Sequence, residues 1–78
     1  MALSVKVLQE IQYELIWRAI TLETEAENLR EDLNEDYLTE ECKAMSRSAA
    51  DGCDAEAARV RGLIACIEEE LGREKADT

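Results

Sequence analysis

Two long apolar stripes run along this chain. Leu8, Ile11, Leu15, Ala19, Leu22, Ala26, Leu29 and Leu33 follow one another at steps of three and four. That spacing keeps them on one face of a helix. Leu38, Cys42, Met45, Ala49, Cys53, Ala57, Val60, Ile64, Ile67 and Leu71 repeat the pattern. The first stripe predicts a helix over about 3–33, starting near Leu3 with Ser4 as its N-cap. Between the stripes lies Asn34-Glu35-Asp36. Asn tolerates the left-handed conformation that ends a helix, and Asp36 suits the N-cap of a second helix over about 37–72. Glu40 and Glu41 would sit in its first turns, where the helix dipole favours anions. Residues 73–78 are expected to form a polar, fraying tail.

The weak point of the second stripe is Asp51-Gly52-Cys53-Asp54. Glycine in a helix interior costs about 1 kcal/mol. Two architectures therefore compete. One is an antiparallel hairpin of two long helices, dimerising into a four-helix bundle. The other is a three-helix bundle broken near Gly52. The stripe holds its phase through Gly52, as a broken helix need not, so the all-α hairpin is favoured. Counting outward from the turn sets Leu33 against Leu38, Ala26 against Met45 and Leu15 against Ala57. Ala19 then faces Gly52 or Cys53, and Gly52 is read as a close approach of the two backbones.

The stripes do not use up the apolar residues. Tyr13, Ile16, Trp17 and Ile20 lie at i, i+3, i+4 and i+7, which is one further helix face. Ile16 borders the seam, and the others lie away from it. Leu63 and Cys66 extend the second stripe sideways in the same manner. A two-helix hairpin buries only the faces its arms turn toward each other, so these six residues call for a cover. Trp and Tyr are frequent anchors of protein interfaces. The expected cover is a second copy of the chain, a larger protein, or both.

Composition narrows the chemistry. With 78 residues the chain makes one domain, too short to bury a large core. It has no histidine, no proline and no phenylalanine. Mechanisms that require histidine are therefore excluded. The three cysteines, Cys42, Cys53 and Cys66, are widely spaced and make no zinc motif. Cys42 and Cys53 fall on the stripe and read as small core residues. Asp51 opens a stretch that begins like a calcium loop but lacks its later oxygen ligands. There is no phosphate-binding glycine loop. No cofactor, metal or catalytic residue is expected, and the chain is read as a non-enzyme.

The net charge of −10 opposes direct binding to nucleic acid and to anionic membranes. It is unevenly spread. Residues 23–52 carry ten acidic and three basic groups, and the remainder nine and six. Glu23, Glu27, Glu31, Asp32, Glu35, Asp36, Glu40 and Glu41 thus form an acidic half around the turn. The chain has no signal-peptide pattern and no apolar run of membrane length, so a cytoplasmic location is expected.

The leading functional expectation is a small interaction module, an adaptor, co-chaperone or inhibitor that docks a protein through the face around Trp17. In size and architecture the chain is similar to small helical-hairpin partners such as secretion co-chaperones, although it shares no motif with them. The alternative is an acidic nucleic-acid mimic of the phage or anti-CRISPR type, occupying a basic groove. An antitoxin or transcription-factor fragment is weaker, because the basic residues do not cluster.

Overall fold

The structure, a computed structural model, describes residues 4–76, with side chains as far as Glu74. It contains two helices, α1 (Val5–Asp32) and α2 (Glu40–Ala76). They form an antiparallel hairpin and, among the described residues, there is no strand. Helix α2 is continuous through Gly52, which removes the three-helix alternative. The expected start of the first helix, Leu3, lies outside the described residues.

Each helix begins where a hydroxyl can take up a free backbone N–H. Ser4 Oγ accepts from the Val7 N–H at 3.3 Å, which is the N-cap role expected of it. For α2 the cap is Thr39, not Asp36. Its Oγ1 accepts from the Cys42 N–H at 3.1 Å. Residues 33–38 instead close a series of four-residue turns, with the N–H groups of Leu33, Asn34, Glu35 and Leu38 donating to the carbonyls of Arg30, Glu31, Asp32 and Glu35. The connection is therefore longer than the three-residue turn at 34–36. Glu40 and Glu41 do occupy the first turn of α2. Helix α2 continues past Gly72 to Ala76, so the segment expected as a polar tail is helical that far.

Burial reveals a stricter repeat than the apolar stripes. In α1 and the adjoining Leu33, the residues shielded from solvent are Val5, Leu8, Gln12, Leu15, Ala19, Leu22, Ala26, Leu29 and Leu33, with Ile16 beside them. In α2 they are Lys43, Ser46, Ala50, Cys53, Ala57, Val60, Ile64, Ile67, Leu71 and Glu74, with Glu56 and Glu70 beside them. Steps of three and four alternate without exception along both seams. That is a heptad repeat, the period of a left-handed coiled coil. With seam positions labelled a and d, Val5 and Lys43 are both a.

The cross-helix ion pairs fix the register. Glu23 meets Arg61 at 2.7 Å and Arg30 meets Asp54 at 2.6 Å, all four at e positions. Arg18 meets Glu56 at 3.6 Å, both at g positions. Pairing e with e on one flank and g with g on the other is the signature of antiparallel strands. It sets Leu15 level with Ile64, Ala19 with Val60, Leu22 with Ala57 and Leu29 with Ala50. The core cluster of Ala19, Val60 and Ile64, packed by Leu15, Ile16 and Leu22, lies at these levels.

This register corrects several expectations. Ala19 sits about two helical turns from the level of Gly52 or Cys53. Gly52 is exposed, and a Cβ added there would meet nothing within 4 Å, so no close approach occurs. Cys42, Met45 and Ala49 are exposed, not seam residues. The physical reason is phase, since they fall at g, c and g, each one residue before the seam positions Lys43, Ser46 and Ala50. Helix α1 also ends level with Ser46, so the first turns of α2 project past it with no helix opposite. Ile11, assigned to the seam from its spacing, stands at its edge, and Gln12 takes the seam position. Gln12 Nε2 reaches Glu68 Oε1 at 3.5 Å, a long contact that contributes little.

Candidate protein-docking face

Tyr13, Trp17 and Ile20 lie at the b and f positions of α1, turned away from the seam. Helical geometry alone puts them there once Leu15, Ala19 and Leu22 face α2, since successive residues are about 100° apart. Tyr13 and Trp17 are one turn apart and meet edge to face, with centroids 6.2 Å apart and planes at 75°. This arrangement opposes the positive edge of one ring to the negative face of the other. Their relative exposures are 60% and 53%, and Ile20 is at 41%. Ile16 is half-buried and packs onto the core cluster, which ties the patch to the rigid seam. The Thr21 hydroxyl donates to the Trp17 carbonyl at 2.9 Å.

The other two predicted docking residues are elsewhere. Leu63, at a g position, is two residues beyond Arg61 and so on the opposite flank from it. Cys66 shares that flank at a c position. The structure therefore brings Tyr13, Ile16, Trp17 and Ile20 together and separates Leu63 and Cys66 from them. The register pairs Leu63 instead with Ile11, which sequence reasoning placed in the seam. Val7, one turn before Ile11, adds to this second, smaller patch. Val7, Ile11 and Leu63 are all exposed by more than a third. The signal for this patch was present as Ile11 and Leu63, but it is legible only once the seam is known.

The three cysteines, all free thiols, lie on one helix. Cys53 is half-buried in the seam, while Cys42 and Cys66 are exposed. Among the described residues no three His, Cys, Asp or Glu side chains converge as a metal site would need.

The acidic half wraps the tip of the hairpin and does not line one face. Glu23, Glu27, Glu31 and Asp32 fall at e, b, f and g, in turn around α1. Glu35 and Asp36 lie in the connection, and Glu40 and Glu41 lie in the projecting first turn of α2. Glu23 is engaged by Arg61, whose hydrogen bond holds its carboxyl below the usual carboxylate range. Glu40 lies 3.9 Å from Lys43. Among the described residues the other six form no salt bridge. Nearer the middle of the rod, the Arg59 hydrogen bond, with help from Arg18, likewise holds the Glu56 carboxyl low. All these pairs face water and so add little stability, and those that cross between the helices, Glu23–Arg61 and Arg18–Glu56, mark the register.

No protein-family model matches the chain, and no curated protein or solved structure does. No helix among the described residues is long and apolar enough to cross a membrane.

Proposed function

We propose that this protein is a non-enzymatic interaction module that docks another protein chain through the α1 face formed by Tyr13, Ile16, Trp17 and Ile20. One observation carries the reading. Two aromatic rings and an isoleucine stand exposed and contiguous over two turns, on the side of α1 that its own partner helix does not cover. Apolar patches of this kind usually mark binding sites. Leaving a tryptophan half in water forfeits roughly 1–2 kcal/mol of burial that a partner would recover. Leu63 belongs to the other flank and is not part of this face. Cytoplasmic location fits the reading, as free thiols survive in a reducing compartment.

The acidic-mimic reading draws on the uncompensated carboxylates at the tip. Their spiral around the hairpin gives them no single row with which to follow a nucleic-acid groove, so docking is the better supported of the two. Salt separates them. Apolar docking should persist at about 1 M salt, where charge attraction is screened within a few ångströms.

The direct test replaces Trp17 by Ala together with Ile20 by Asp. Both side chains are exposed, so the hairpin should remain helical. Chemical crosslinking in the source cell then compares the complexes of the altered and unaltered chains. Loss of the crosslinked species is the expected result. An unchanged set would show that this face docks nothing.

A further inference from the structure

Resting on that docking reading, we infer that the occupant of the Trp17 face is a second copy of this chain, packed flank to flank about a two-fold axis along the rod. The result is a four-helix bundle in which α1 of each copy lies against α2 of the other.

The first argument is shape. The molecule measures 59 × 17 × 14 Å, with a radius of gyration of 17.6 Å. A compact chain of this length would have about 11–12 Å. Its accessible surface is 5803 Å², against about 4,800 Å² expected for a folded monomer of this mass. The excess, about 1,000 Å², is close to the roughly 800 Å² that each partner contributes to a standard interface. The fully buried core is also thin, since among the described residues no large side chain is below 2% exposure.

The second argument is self-complementarity. On the e flank, α1 presents large residues, Tyr13, Ile16 and Ile20. On the same flank and at nearby levels, α2 presents small ones, Ala58 and Ala65 at b positions. A two-fold rotation along the rod keeps these levels and sets large against small twice. That is what an isologous interface requires, and it is the interdigitation that fills a bundle core. Trp17 and Gly62 both fall at f, at the outer margin of this interface and at one level, so the ring can lie over α2 of the other copy with no side chain in the way. The opposite flank lacks this property, because the same operation would set Ile11 of one copy against Leu63 of the other, large against large, twice.

The third argument is charge. A chain of net −10 resists self-association as a whole. Where the helices run side by side, however, the e and b positions carry four basic and five acidic residues. The flank is nearly neutral, and four of these nine charges are already matched within one chain by the Glu23–Arg61 and Arg30–Asp54 pairs.

Sedimentation and tryptophan quenching of the full chain provide the test. The unaltered protein should sediment at about twice 8.8 kDa at tens of micromolar, with Trp17 shielded from acrylamide. Ala58→Arg with Ala65→Arg should yield a monomer of unchanged helicity with several-fold stronger quenching. Both sites are exposed in the hairpin, and the added cations reduce the net charge, so repulsion cannot explain the loss. Leu63→Gln, on the other flank, should remain a dimer. A monomer at all concentrations up to about 1 mM overturns the inference. So does a Leu63→Gln monomer alongside a dimeric alanine-site variant. If the chain is monomeric but Trp17→Ala removes a heteromeric crosslink in cells, self-association fails while the docking reading stands. A monomer indifferent to Trp17→Ala overturns both.

Discussion

Gly52→Ala is the sharpest probe of how the two helices meet. Gly52 lies well inside α2, which runs from Glu40 to Ala76. It has helical backbone geometry, with no glycine of the chain at positive φ. A Cβ there would have open space around it, with nothing within 4 Å. The substitution therefore adds no clash and no new contact. Its effect is the difference in helix propensity, about 0.8–1.0 kcal/mol in favour of alanine, arising mainly from the freedom lost by the unfolded chain. For a chain of this size, 1 kcal/mol corresponds to a rise in Tm of about 4–8 °C. Urea unfolding followed by circular dichroism at 222 nm should show a higher midpoint with an unchanged slope. Had Gly52 marked a close approach to Ala19, the added methyl would wedge the helices apart and lower the midpoint. A neutral or destabilising result would thus refute the register, and with it the level pairing of Ala19 with Val60.

Three further outcomes follow from the same geometry. Ala19 is fully buried between Val60 and Ile64, so Ala19→Leu should overpack the seam and cost about 1–3 kcal/mol, read as a lower urea midpoint. Thr39→Ala should cost about 1 kcal/mol by removing the α2 cap, whereas Asp36→Ala should change stability little; equal losses would mean that Asp36 shares the capping role. Glu23 and Glu56 have carboxyls held below their ordinary value of 4.5, so their stabilisation is present above that pH and is lost as pH falls through the lowered values. Glu23→Gln with Glu56→Gln should therefore be less stable than the unaltered protein at pH 7, with the gap in Tm closing in acid; a gap that persists to about pH 2 would show that the pairs do not stabilise the fold.

The helical hairpin was legible in the chain itself. Apolar residues at three- and four-residue steps, the Ser4 cap and the absence of proline specify two long helices, because these are local properties of a backbone with a 3.6-residue turn. The surplus face of Tyr13, Ile16, Trp17 and Ile20 was equally legible, since angular position around a single helix follows from spacing alone. The seam was not. Cys42, Met45 and Ala49 are at least as apolar as the seam residues Lys43, Ser46 and Ala50, and Ile11 is more apolar than Gln12, so apolarity chose the wrong members of neighbouring stripes. Only the pairing of Glu23 with Arg61, Arg30 with Asp54 and Arg18 with Glu56 selects among them. Those contacts join residues far apart in sequence, and their level depends on how far the connection carries the chain before Thr39 starts the second helix. Tertiary structure therefore decided the register, released Gly52 from the interface and moved Leu63 and Cys66 to the flank opposite Trp17. Local spacing determines which way a side chain points from its own helix, but what it meets there is set by the other helix.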